Sequence, residues 1–188
     1  MTNLTTSLQL TLPGWLRDAL DEDRVYGDDD SRVRLAIDLA RRNVENATGG
    51  PFGAAVFTVE GHLVSVGVNR VLPQNCSVAH AEMMAYMLAQ ARVGRSRLNE
   101  NGERFVLATS AQPCCQCYGA TFWAGIDELL IGARSEDVEE LTEFDEGPLP
   151  ADWNGELQSR GIAVRCDILR DAARDVFLRY REMGGQAY

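Results

Sequence analysis

His80-Ala81-Glu82 and, some thirty residues later, Pro113-Cys114-Cys115-Gln116-Cys117 constrain this chain more than any other feature. Any fold it adopts must bring these two segments together if their chemistry is to be used. His80, Cys114 and Cys117 are three soft or borderline ligands suited to Zn²⁺, and Glu82 is a carboxylate that need not be a ligand. Three protein ligands leave the fourth position of a tetrahedral zinc to water, the arrangement of a catalytic centre.

Both segments read as helix starts. Cys114 and Cys117 lie three apart, so a helical turn puts their sulfurs on one face. A helix N-terminus also favours thiolate, the form that binds metal. Glu82 follows His80 by two, a spacing that points side chains about 200° apart in a regular helix. Their convergence on one water therefore requires a site off the helix end, which spacing alone leaves open. The second histidine, His62, falls in a predicted strand without partners in motif spacing and reads as a surface or edge residue.

A closed structural zinc site is the competing reading, with Cys76, Cys115 or Cys166 as a fourth thiolate. Cys76, four residues before His80, is the most credible of these. Cys115 points to another helix face than Cys114, and Cys166 reads as core. Structural sites usually combine paired Cys-x₂₋₄-Cys units, and this chain has one.

Five cysteines, three of them within four residues, suit metal binding in a reducing compartment better than a disulfide framework. The first residues carry no basic n-region and no continuous apolar stretch, so no signal peptide is expected. No apolar run approaches the ~18 residues of a membrane span. The chain reads as cytoplasmic. Its net charge is −10, lysine is absent, and the basic residues are all arginine. Nucleic-acid binders usually present a basic face. Here the basic cluster Arg32, Arg34, Arg41 and Arg42 reads as a solvated helix face. The acidic run from Ser135 to Glu146 would repel a phosphate backbone. A small neutral substrate is the expected partner, with no nucleic acid and no membrane.

Length and an apolar content of 45% suit one domain with a full core. Residues 1–27 read as an arm with a short helix from Pro13 to about Asp21; residues 28–188 read as the domain proper. Asp28-Asp29-Asp30-Ser31 opens a helix whose apolar positions, Val33 to Val44, recur three and four apart. Gly49-Gly50-Pro51 breaks it. Strands follow over Phe52–Val59 and His62–Val68, joined at Glu60-Gly61. Asn69–Ser77 reads as a loop, Ala79–Val93 as a helix, and Arg104–Thr109 as the third strand. A helix over Cys114–Ala124, a strand over Asp127–Gly132 and a short helix from Ser135 come next. Phe144–Asn154 reads as a loop, Ile162–Ile168 as the fifth strand, and Leu169–Met183 as the last helix. The order predicts an α/β fold, a three-layer α/β/α sandwich around a five-stranded mixed sheet.

With these motifs in place, the chain resembles the cytidine-deaminase superfamily, and within it bacterial guanine deaminases. The resemblance runs from about Asp28 to Tyr188. It is carried by Gly49-Gly50-Pro51-Phe52-Gly53-Ala54, Asn69-Arg70-Val71, His80-Ala81-Glu82, Thr109-Ser110, Pro113-Cys114 and Gly119-Ala120. Phe144-Asp145-Glu146-Gly147-Pro148 and Tyr188 point to the guanine deaminases. Two departures adjoin the metal ligands: Gln112 stands where these relatives commonly have Glu, and Cys115-Gln116 replaces their usual Pro/Val-Met.

The resemblance implies a zinc hydrolase that deaminates a free base, guanine to xanthine, with Glu82 as proton shuttle. It further implies that Asn69 and the Ala81 amide bind the purine. Asp145 and Glu146 would contact its amino edge, with Glu146 assisting proton movement. Phe52 and Trp123 would pack on the base, although core packing explains each equally. Tyr188 would close the pocket, its own or that of a partner in a homodimer. Asp145 and Glu146 could instead cap a turn before Gly147-Pro148. Another aminated heterocycle as substrate, or a non-catalytic zinc-stabilised interaction protein, are the remaining readings.

Overall fold

Five strands form one mixed sheet in the order β2-β1-β3-β4-β5. They are β1 (Gly53–Thr58), β2 (Leu63–Val68), β3 (Phe105–Ala111), β4 (Glu128–Ala133) and β5 (Ala163–Arg165). β1 runs antiparallel to both β2 and β3, whereas β3-β4 and β4-β5 are parallel. The computed structural model describes residues 4–21 and 23–188.

Alternation along the central strands makes the layers. Ala55 and Phe57 of β1, Val106 and Ala108 of β3 and Leu130 of β4 face one core. Ala54, Val56, Leu107, Leu129 and Ile131 face the other. Because both faces are covered, these strands read as near-continuous apolar runs. The first core is closed by α1 (Asp29–Glu45) and α7 (Arg170–Glu182), with α5 (Ser135–Leu141) beside α7. The second is closed by α3 (Ala81–Val93), α4 (Cys115–Ala124) and α6 (Trp153–Ser159). The expected three-layer α/β/α sandwich is the observed fold. Phe57 and Phe177 are fully buried, each stabilising by about 2–3 kcal/mol relative to exposure.

Local chemistry fixes the ends of the elements. The Asp28 carboxylate accepts from the Ser31 N–H at 2.7 Å and caps α1. Asp137, almost fully buried in the first turn of α5, accepts from the Arg134 N–H at 2.9 Å. It also takes two 2.7 Å bonds from Arg170 and a further bond from Arg174, stapling α5 to α7. Those arginines hold its carboxyl at about 2, below the ordinary 3.8. The helix α5 leads directly into the loop that carries Glu146.

One close approach sets the depth of α3. A Cβ on Gly67 of β2 would lie 1.9 Å from the Ala81 carbonyl oxygen and 2.6 Å from the Ala85 nitrogen. Only glycine lets this helix backbone rest on this strand.

Several elements differ from the sequence expectation. The expected 69–77 loop contains a one-turn helix, α2 (Val71–Gln74), and α6 begins at Trp153, inside the expected 144–154 loop. β5 ends at Arg165, short of Ile168, because Asp167 and Leu169 adopt left-handed conformations with φ of 65° and 54°. The early helix is a 3₁₀ turn over Gly14–Asp18. Leu16 and Tyr26 are buried against the α1 face of the sheet, and no helix among the described residues is long and apolar enough to cross a membrane.

Candidate active site

The site lies where β2 and β3 end and β1 begins. β2 runs into Asn69; β3 runs into Gln112-Pro113-Cys114. His80 is the N-cap of α3 and Cys114 the N-cap of α4, both with extended backbone. Each side chain therefore projects beyond its helix, with Glu82 and Cys117 following inside the first turns. The spacing puzzle of His80 and Glu82 disappears, because His80 stands outside the helical geometry that would separate them.

The His80, Cys114 and Cys117 ligand atoms all lie within 4.8 Å of one another. His80 Nδ1 is 3.4 Å from Cys114 Sγ and 3.6 Å from Cys117 Sγ. Metal distances of about 2.3 Å for sulfur and about 2.05 Å for nitrogen, at a tetrahedral angle, place N and S about 3.6 Å apart. The observed edges fit that tetrahedron. Cys76, Cys115 and Cys166 stand outside the cluster among the described residues. The closed-site reading thus has no fourth protein ligand in this group.

Two buried carboxylates flank the cluster. Glu82 accepts from Thr109 Oγ1 at 3.2 Å and from Cys117 Sγ at 3.4 Å. Glu146 sits above, its loop tied down by a 2.9 Å bond from the Cys115 N–H to the Glu146 carbonyl. Burial, then the negative charge of Cys114, raises the Glu82 carboxyl above its ordinary 4.5. Burial and the charges of Cys114 and Glu82 push Glu146 up to about 8. The hydrogen bond from Cys117 brings Cys114 down to about 4, and the same bond together with burial pushes Cys117 far up. No arginine lines this pocket. These shifts are those of acids crowded together with His80 alone set against them among the lining residues, and a divalent cation is what such a donor set fits.

The pocket is lined on one side by Phe52, Phe144 and Tyr188. Phe144 meets Phe52 edge-on at 5.2 Å and Tyr188 at 4.9 Å, and stacks on Tyr180 at 6.0 Å. Tyr180 in turn donates a 2.7 Å hydrogen bond to the Gln186 carbonyl, so the tail of the same chain carries Tyr188 over the pocket. Asn69 and Gln112, both buried, line it too.

Of the residues singled out from sequence, the structure gathers His80, Glu82, Cys114, Glu146, Asn69, Phe52, Asp145 and Tyr188 around one pocket, with Cys117 in the metal cluster beneath. Ala81 is buried between His80 and Glu82, and its N–H belongs to the open first turn of α3. Asp145 stands exposed at the rim, where one carboxylate oxygen accepts from the Gly147 N–H at 2.7 Å. It does hold the turn, and its other oxygen remains for the pocket. Trp123 must be corrected. It is 71% exposed on α4, packed edge-on against Phe122, and does not line the pocket. Phe144 and Gln112 in the pocket wall and Thr109 on Glu82 carry no site signal of their own in the sequence, although each lies inside or beside one of its motifs.

The fold and this cluster define a zinc-binding deaminase domain. The family profile for the cytidine and deoxycytidylate deaminase zinc-binding region matches residues 27–133, and the chain belongs to that family. Within it, the guanine deaminase of Nitrosomonas europaea is 42% identical, with a TM-score of 0.90 over 96% of this chain and 100% of that one. The protein NE0047, solved in complex with 2,6-diaminopurine, is 43% identical, with a TM-score of 0.90 over 97% of this chain and 96% of that one. The guanine deaminase of Bacillus subtilis is 34% identical over 108 residues, 57% of this chain and 66% of that protein. The chain thus spans just under two thirds of that curated relative's length.

Proposed function

We propose that this chain is a zinc-dependent guanine deaminase, hydrolysing guanine to xanthine and ammonia. The observation that carries the proposal is the convergence of a three-ligand metal cluster and two buried carboxylates on one aromatic-walled pocket. The complexes and activities of the relatives support the purine as substrate.

His80, Cys114 and Cys117 would hold the zinc, which when bound would lower the pKa of a water toward neutrality. Glu82 would take the proton of the attacking water and deliver it to ring N3 as the water oxygen adds to the neighbouring C2. Glu82, assisted by Glu146, would then pass the proton of the new C2 hydroxyl to the amino group, so that the C2–N bond breaks, C2=O forms and ammonia leaves. General acid–base transfer of this kind contributes roughly 10²–10⁴-fold.

The hydrogen-bonding sense of the walls matches guanine. Asn69 Oδ1 already accepts from the Val71 N–H at 3.2 Å. Asn69 therefore offers the base its N–H donors, which suit the O6/N7 acceptor edge. Glu146 and the free oxygen of Asp145 accept from the N1–H and amino edge. Phe52 and Phe144 pack on the ring, and Tyr188 covers it.

Residues 28–188 make the deaminase domain, cytoplasmic and assembled as a homodimer. Val78, Met87 and Leu88 around α3 and Trp123 on α4 expose apolar surface that supports this assembly. The deciding assay is ammonia release from guanine, guanosine, adenine, cytosine and cytidine. Guanine should be turned over fastest; faster turnover of cytosine or a nucleoside overturns the substrate assignment. Bound zinc without turnover of any of them overturns the enzyme reading.

A further inference from the structure

Gln112 lines the pocket and has no task in the scheme above. Its main chain is fixed by a 2.9 Å bond from its N–H to the Ala133 carbonyl, directly after β3. Its side chain is 7% exposed, and the residue lines the same pocket as Asn69 and Glu82. Among the described residues the carboxamide makes no hydrogen bond to the protein, yet neither of its polar atoms is sealed from solvent. A nearly buried amide with free valences, facing a ligand cavity, is poised to bind what enters it.

The sheet fixes which side of the ligand it addresses. Asn69 follows β2, Phe52 precedes β1, and Gln112 follows β3. β1 lies between the other two, and the Asn69 N–H bonds the Phe52 carbonyl at 3.1 Å. Neighbouring strands are about 4.8 Å apart, so the backbones of Asn69 and Gln112 leave the sheet roughly 10 Å apart, on either side of Phe52 in the strand order. Two side chains that leave the sheet this far apart can address opposite long sides of a flat bicyclic ring. Asn69, whose Oδ1 already accepts from the Val71 N–H, offers its N–H groups to the O6/N7 side. The opposite side of guanine presents N3 and N9–H, and N3 receives the proton from Glu82.

We propose that Gln112 is a specificity-determining residue whose Oε1 accepts a hydrogen bond from N9–H of the purine, so that the pocket selects a free base. This rests on the guanine deaminase reading. An N9-substituted purine cannot make the bond, and a side chain unable to accept cannot offer it.

The test compares Gln112→Leu with Gln112→Glu in the zinc-loaded enzyme, measuring kcat and KM for guanine together with zinc content. Leucine fills similar space but cannot accept; glutamate keeps the acceptor and loses the donors. Gln112→Leu should raise KM on the order of 10- to 100-fold with kcat and zinc nearly unchanged. Gln112→Glu should keep KM within about 3-fold of wild type. If Gln112→Leu leaves KM unchanged, or if Gln112→Glu loses as much as Gln112→Leu, Gln112 is not the acceptor. Loss of zinc in Gln112→Leu also overturns the assignment, since the residue then acts on the metal centre. Wild-type enzyme that binds zinc and ignores guanine sinks the substrate reading and this proposal together. Normal wild-type turnover with indifferent variants sinks this proposal alone.

Discussion

Glu82→Gln separates metal binding from proton transfer. The substitution keeps the shape of the side chain and leaves all three ligands in place. Thr109 Oγ1, now 3.2 Å from Glu82 Oε1, can still donate to an amide oxygen. The amide cannot take the proton of the attacking water, so turnover should fall by about 10²–10⁴-fold, or roughly 3–5 kcal/mol in the barrier. Zinc content should stay near one per chain. Stability should move the other way. Burial raises the Glu82 carboxyl above 4.5, so the folded metal-free protein disfavours the ionised form relative to the unfolded chain. That penalty begins above the unfolded pKa and persists at neutral pH. The metal-free Gln variant should therefore melt at or above the wild-type temperature at pH 7. Ammonia release, metal analysis and thermal melts read the three quantities. Turnover within 10-fold of wild type, with zinc retained, would remove Glu82 from the mechanism.

Cys114→Ala and Cys117→Ala should each lose both zinc and activity, while Cys76→Ser and Cys115→Ser keep stoichiometric zinc; zinc loss in Cys76→Ser would mean a closed site. Asp137→Asn should cost about 2 kcal/mol at pH 7, because the native carboxyl sits near 2 against an ordinary 3.8. That contribution is present above about pH 4 and fades as the pH falls toward 2, so wild type and variant should converge in acid urea titrations. Gly50→Ala would place a Cβ 2.2 Å from the Tyr188 hydroxyl. It should displace that ring and raise the guanine KM without touching the zinc content; unchanged kinetics would show that Tyr188 does not cover the bound base.

The central strands were legible because burial on both faces turns them into apolar runs, as in Ala54-Ala55-Val56-Phe57 and Leu129-Leu130-Ile131. The metal cluster was legible because its two halves are local motifs at helix starts. Trp123 was misplaced for a reason helical phase could have supplied. Six residues after Cys117, at about 100° each, turn it some 240° away from the ligand. α6 was hidden by Gly155 in its first turn, where the deciding bond is from the Gly155 N–H to the Asp152 carboxylate at 2.9 Å. β5 was overextended because the left-handed turns at Asp167 and Leu169 occur at residues that seldom announce them. Asp145 was ambiguous in sequence and remains double in structure, with one oxygen in the turn and the other at the pocket rim.

The packing at Gly67 has a consequence for the metal itself. α3 brings His80 and Glu82, while Cys114 and Cys117 arrive separately on α4, so no covalent frame fixes the nitrogen-to-sulfur edges. The contact of the α3 backbone with the β2 backbone at Gly67 acts as the gauge. Zinc tolerates only about 0.2 Å of error in its bond lengths. A single methyl group on β2 would lift one ligand away from the other two by more than that. The spacing of this ligand set is therefore governed partly by a residue with no side chain, on a strand that supplies no ligand.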